Sequence, residues 1–148
     1  MKLTWDCGTR VDMVNKELLQ KMKDAGCIAV WFGVEAGSQL VLDKMGKGFT
    51  AQLTKKAFKM AQDVGLLTIA SVVFGFPGET KETAMETIKF IQELNPDDVG
   101  FYIATPYPGT PMAEQVIKNG WLRVTDFNKY DTALSLIHIS EPTRLRRI

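Results

Sequence analysis

Four stretches of the chain are apolar without a helical stripe: residues 3–7, 28–33, 67–74 and 99–104. The second and third, IAVWFG and TIASVVFG, are rich in β-branched and aromatic residues and apolar on both faces. That pattern predicts strands buried in a parallel sheet. Between them the apolar positions recur with helical spacing, and each run has start and stop signals. Asn15 is placed to cap a helix carrying Leu18, Leu19 and Met22, ending before Gly26. Thr50 is placed to cap a second, with Leu53, Ala57, Met60, Ala61 and Val64 on one stripe and Gly65 behind it. Thr80 is placed to cap a third, with Ala84, Ile88, Ile91 and Leu94, stopping near Asn95 and Pro96. A weaker helix is expected from Pro111 to Lys118, with Gly120 after it. Asn and Thr accept from the free N–H groups of a first turn, and Gly accommodates the left-handed exit.

Alternating strand and helix defines an α/β protein with about four parallel strands and flanking helices, either an open doubly wound sheet or a (β/α) barrel. In both, function sits at the carboxyl ends of the strands. The unusual residues do follow the strands: Cys7 to Arg10, Glu35 to Ser38, Gly75 to Glu79 and Thr105 to Thr110. Four such segments on one rim predict a concave site along the sheet edge.

Composition adds limits rather than chemistry. The 148 residues are 45% hydrophobic and 24% charged, enough for one domain with a core and unlike a disordered or fibrous chain. No apolar run reaches the roughly 20 residues of a membrane helix, and the start MKLTWDCGTR lacks a signal-peptide core, so a cytoplasmic protein without a membrane span is expected. Two cysteines, Cys7 and Cys27, exclude a disulfide scaffold and a metal knuckle. A formal charge of +1 carries no nucleic-acid signal. Residues 134–148, LSLIHISEPTRLRRI, differ in character from the rest, and Leu134 to Arg144 resemble the in-frame translation of a sequencing adapter. The expected organisation is therefore residues 1–133 as the domain and 134–148 as a non-native tail packing on nothing, the alternative being a real amphipathic terminus. Without the tail the small net charge becomes negative and the sole histidine, His138, is gone, which removes His-based nucleophile and zinc chemistry.

Each rim segment has a chemical and a structural reading. Glu35, in FGVEAGS, can accept from a diol or an ammonium group, or merely bond loop amides. In FGFPGET, Gly75 and Gly78 allow close backbone approach to a ligand beside Phe76 and Pro77, or simply make a tight turn before a helix. TPYPGTP is a rigid loop that walls a pocket or a stiff connector. Lys47, in KMGKG, can neutralise a ligand carboxylate or be solvated. Arg10 can clamp a carboxylate or phosphate, or pair with Asp12 or Glu35. Cys27 reads as a small core residue.

Together WDCGTRVD, MKDAGC, FGVEAGSQ, MGKG, FGFPGET and PYPGTP, in this order and spacing, resemble the second half of a radical S-adenosylmethionine (radical SAM) core. The likeness is strongest to the subgroup that often carries a cobalamin-binding domain. It implies a partial (β/α)₆ barrel and a parent enzyme holding a 4Fe–4S cluster on a CxxxCxxC loop. It also implies reductive SAM cleavage, hydrogen abstraction from a small-molecule substrate, an electron donor such as flavodoxin or ferredoxin, and cobalamin as a further cofactor of the subgroup. By position, Glu35 and Ser38 fall on the SAM-contacting segment and Lys47 on a basic position for the methionyl carboxylate. Ser71 falls near the ribose, and Gly75, Phe76 and Pro77 on the turn near the adenosyl group. Arg10 joins the cofactor-binding set, and Tyr107 and Thr110 fall on the substrate-side loop. The departures are sharp. There is no CxxxCxxC, and Gly8 and Ala36 stand where relatives often carry polar side chains. The chain is expected to be an inactive fragment of its parent. A lyase or aldolase barrel lacks its Schiff-base lysine on a strand. A nucleotide-binding or interaction module lacks GxGxxG and GxxxxGK[ST].

Overall fold

The computed structural model describes residues 3–126 together with Asn128, Tyr130 and Ile137. Four strands, β1 (Trp5–Thr9), β2 (Cys27–Glu35), β3 (Leu67–Phe74) and β4 (Asp98–Ile103), form one parallel sheet in the order β1-β2-β3-β4. The helices are α1 (Lys16–Asp24), α2 (Gln39–Lys44), α3 (Ala51–Asp63), α4 (Lys81–Leu94) and α5 (Pro111–Lys118), with a short 3-10 turn at Val11–Met13. The strands lie in sequential order, and side chains of the crossover helices α1, α3 and α4 share one core with the sheet, as in a barrel wall and unlike a doubly wound sheet.

The predicted caps form as expected. Asn15 Oδ1 accepts from Leu18 N–H at 2.8 Å, Thr50 Oγ1 from Leu53 N–H at 3.1 Å, and Thr80 Oγ1 from Thr83 N–H at 3.3 Å in a reciprocal capping box. α4 stops at Asn95 in the left-handed region, φ 47°.

Three features depart from the sequence expectation. β1 starts two residues later than expected, because pairing with Cys27 to Phe32 of β2 extends it through Gly8 and Thr9. α2 was not expected; its six residues are too few for a readable stripe. α4 buries Thr83, Thr87, Phe90, Ile91 and Leu94, while Ile88 is exposed. The two threonines are tolerated because their hydroxyls bond within the chain: Thr87 Oγ1 donates to the Thr83 carbonyl at 3.0 Å and accepts from Gly37 N–H at 3.0 Å.

The core lies between the sheet and its helices. Val30, Phe32 and Val34 of β2 and Ala70 and Val72 of β3 meet Leu19, Ala57, Phe58 and Ala61. The Phe32 and Phe58 rings stand 5.0 Å apart. Residues of opposite parity, among them Trp31, Ser71 and Gly100, face the other side of the sheet. Of the tail only Ile137 is described. It is buried and forms an antiparallel bridge with Leu122, so this side chain does pack, contrary to expectation. An apolar residue gains from covering any apolar surface within reach.

Candidate functional site

The carboxyl end of β2 is irregular. Gly33 pairs with Ser71 and Glu35 with Val72, leaving Val34 as an extra residue, a β-bulge. Glu35 has φ 64°, and Ala36 N–H closes on the Val34 carbonyl at 2.8 Å. This is a tight three-residue turn in a conformation that costs a non-glycine residue energy. The carboxylate folds back over Gly33, where a Cβ would stand 2.8 Å from Glu35 Oε1. Lys47 Nζ donates to the same oxygen at 2.8 Å. Both side chains are mostly buried, 19% and 31% exposed for Glu35 and Lys47.

Beside this ion pair lies a cleft of about 360 Å³ at the strand ends. Val73, Phe76 and Ile103 give it apolar walls, and Met45, Tyr107 and Met112 border it. Tyr102 contributes a phenol that lies over Gly100, where a Cβ would be 2.9 Å from the hydroxyl. Gly33, Ser71 and Gly100 are register partners on adjacent strands, so small residues floor the space that Glu35 and Tyr102 lean across.

The predicted site residues divide. Glu35, Lys47, Phe76 and Tyr107 converge on the cleft. Ser71 lies in its floor row, two residues before Val73 on the same face. Arg10 forms the structural pair: its guanidinium bonds Asp12 bidentately at 2.9 and 2.8 Å and donates to the Lys47 carbonyl at 2.9 Å. The pairing holds the Asp12 carboxyl below its ordinary range and raises Arg10 further. Ser38 is buried at the start of α2 and borders a depression on the α4 side with Glu86 and Phe90, away from the Glu35 cleft. Gly37 brings this loop close against α4, where an added Cβ would lie 2.4 Å from Phe90 Cβ. Pro77 is buried in the turn and does not line the cleft. Thr110 caps α5, accepting from Ala113 N–H at 3.2 Å and donating to the Tyr107 carbonyl at 2.7 Å. Gly75 is a hinge of the turn, φ 80°, its N–H donated to Glu79 Oε2 at 2.5 Å. Glu79 Oε1 is buried without a partner, and burial pushes its carboxyl above the ordinary range, partly offset by the Gly75 N–H.

Sequence reasoning missed Met45, Val73, Tyr102 and Met112; Thr105 was placed on the rim but given no role. For Tyr102 a signal existed: in Gly100-Phe101-Tyr102 a glycine precedes an aromatic by two on the strand face opposite the helices.

An α/β sheet in sequential order, with an acid–base pair and a cleft at its carboxyl edge, defines a barrel-type ligand site. Residues 6–91, more than half of the chain, match the radical SAM superfamily model, and the chain belongs to that superfamily. It is 40% identical over 132 residues to an uncharacterized methyltransferase of Pyrococcus horikoshii, covering 89% of this chain and 29% of that protein. It is 32% identical over 145 residues to the anaerobic magnesium-protoporphyrin IX monomethyl ester cyclase of Cereibacter sphaeroides, covering 97% and 23%. The fold matches the radical SAM methyltransferase TsrM of Kitasatospora setae, solved with cobalamin and a 4Fe–4S cluster, with a TM-score of 0.71 and 24% identity, over 79% of this chain and 23% of that one. The chain thus spans less than a third of the length of these relatives. Membership sets aside the aldolase and nucleotide-module readings.

The superfamily uses SAM and a 4Fe–4S cluster. The cleft fits the first: unlike charges stand at one end with apolar walls beside them, and Gly33 and Gly100 let the Glu35 carboxylate and the Tyr102 phenol fold in against the sheet. This chain's residues do not fit the second. It has two cysteines, Cys27 fully buried with its thiol on the Ala29 carbonyl at 3.3 Å and Cys7 half-buried on β1. Burial and the neighbouring Cys27 push the Cys7 thiol up, away from the thiolate that a metal requires. Among the described residues, no group of three or more His, Cys, Asp or Glu is placed to hold a metal. No described helix is long and apolar enough to cross a membrane.

Proposed function

We propose that this chain is part of a radical SAM enzyme and that the cleft beside Glu35 and Lys47 binds SAM. One observation carries the reading: a mostly buried carboxylate–ammonium pair at 2.8 Å, set at the strand carboxyl ends against an apolar cleft of about 360 Å³. SAM presents the matching groups, a zwitterionic amino-acid head on a flat adenosyl body. The Lys47 ammonium pairs with the methionyl carboxylate. The Glu35 carboxylate accepts from the SAM ammonium or from ribose hydroxyls, and Ser71 serves the ribose side. Phe76, held by the Gly75–Glu79 bond, packs against the adenine. Tyr107 faces the substrate, a small molecule in this reading.

SAM bound here supplies the adenosyl fragment on which the family's chemistry depends. The chain's own residues bind and orient it and keep water from the apolar wall. Cluster ligands, an electron donor such as flavodoxin or ferredoxin, any cobalamin, and a cytoplasmic setting belong to the parent enzyme in this proposal. Equilibrium dialysis of labelled SAM against the chain and against Phe76→Asp tests the site. Phe76 is only part-buried, so the fold should survive while SAM retention is lost; equal retention by a folded variant places SAM elsewhere.

A further inference from the structure

Three side-chain hydrogen bonds from separate parts of the fold tie down the end of α2 at Lys44 and the short segment 45–48 that leads toward α3. Lys44 Nζ donates to the Gly78 carbonyl at 3.0 Å, reaching the turn after β3. Lys47 Nζ donates to Glu35 at the end of β2. Arg10, just past β1, donates through Nη2 to the Lys47 carbonyl at 2.9 Å. The segment also closes on the end of α2: Met45 N–H donates to the Val41 carbonyl at 2.9 Å, Gly46 N–H to Asp43 at 3.0 Å and Lys47 N–H to Leu42 at 3.2 Å. Lys47 is flanked by Gly46 and Gly48, both left-handed at φ 67° and 74° with open space around them. Beyond these bonds to α2, the two glycines leave the backbone around Lys47 free to turn, so the direction in which Lys47 leaves the helix end is set by the side-chain ties.

Arg10 is itself held firmly. Asp12 engages it bidentately, and its guanidinium sits 5.6 Å from the centre of the Phe49 ring, just past the segment. It does not line the cleft. We infer that Arg10 is a positioning residue: acting through the Lys47 carbonyl, it holds the Lys47 ammonium on the cleft rim, where it discriminates for ligands bearing a carboxylate. This deepens the SAM reading and rests on it for the ligand, though not for the position of the segment.

Two measurements on the full chain separate the parts. Amide hydrogen exchange at 45–47 reads the segment without any ligand. Arg10→Gln should speed exchange there by about tenfold while α3 and α4 keep their rates. Unchanged exchange at 45–47 overturns the inference. Asp12→Asn keeps Arg10 and Lys47 in place but frees the guanidinium, and should act in the same direction, which guards against a poorly folded Arg10 variant. Amide-shift titration with SAM and with decarboxylated SAM reads the consequence. Arg10→Gln should weaken SAM about three- to tenfold, but less than about twofold in a Lys47→Ala background, because coupled residues are not additive. Decarboxylated SAM should change less than about twofold, since the group that Lys47 meets is missing. Equal losses with and without Lys47, or for both ligands, mean that Arg10 acts on the ligand itself, and the inference fails. If Lys47→Ala leaves SAM affinity intact, or the chain binds neither ligand, the SAM reading fails instead, and the exchange result still decides whether Arg10 holds the segment.

Discussion

Replacing Glu35 separates binding from folding in an unusual way, because the residue makes an ion pair and also occupies a costly backbone conformation. Glu35→Gln keeps the shape and the φ of 64° but removes the charge. Its pair with Lys47 is partly solvated, so the stability loss should be at most about 1 kcal/mol. Glu35→Gly loses the same pair, yet glycine relieves a left-handed conformation that costs other residues about 1–2 kcal/mol. Glycine's greater unfolded-state freedom returns roughly 0.5–1 kcal/mol of that gain. The net change for Gly is therefore close to zero, and the thermal midpoint should stay within about 3 °C of the parent. Affinity should behave differently. A charge-assisted hydrogen bond contributes about 1.5–3 kcal/mol, and partial exposure favours the lower end, so both variants should weaken SAM by about tenfold. Amide-shift titration, which reads weak constants, and a thermal melt on the same samples suffice. A midpoint drop of several degrees in both variants with SAM affinity within twofold would refute the reasoning, since Glu35 would then serve only the β2 turn.

Gly37→Ala should destabilise the chain by about 3 kcal/mol or more, lowering the thermal midpoint by roughly 10 °C, because the new Cβ would lie 2.4 Å from Phe90 Cβ and 2.8 Å from Thr87 Cα. Thr80→Ala removes the capping box of α4 and should cost about 1 kcal/mol by urea denaturation. Glu79 carries a pH dependence of opposite sign to a salt-bridged acid. Its folded carboxyl titrates above the unfolded one, so its contribution to stability is present below the unfolded value and is lost as pH rises through the folded value. Urea midpoints at pH 4 and pH 7 should therefore show Glu79→Gln gaining on the parent as pH rises. Anaerobic iron–sulfur reconstitution of the chain should yield no stoichiometric 4Fe–4S absorbance and no 5′-deoxyadenosine, because two cysteines cannot supply three clustered thiolates.

Much of this was legible in the sequence where local chemistry decides the outcome. Asn15, Thr50 and Thr80 cap helices because a side-chain oxygen beside free N–H groups acts within one turn of chain; the same role of Thr110, expected on the substrate-side loop, was not read. Strand order alone brings Glu35 and Phe76 to one rim, whereas Lys47 reaches it through the segment between α2 and α3. What stayed hidden depends on pairing and close approach. The bulge at Val34 breaks the period-two pattern and turns Glu35 over Gly33. Gly37 packs against Phe90, and Ser38 beside it borders the α4-side depression and not the cleft. Arg10 could have met a ligand or Asp12, and only the fold brings the Lys47 carbonyl within its reach.

The central claim, that SAM occupies the cleft at the strand ends, is tested most directly by mapping which backbone amides move when SAM is titrated into the labelled chain. Shifts should cluster at Glu35, Lys47, Phe76, Tyr102 and Thr105 and saturate together with one dissociation constant. Saturating shifts confined to other surfaces, such as the lysine-bearing face of α3, or no shifts at millimolar SAM, would contradict it.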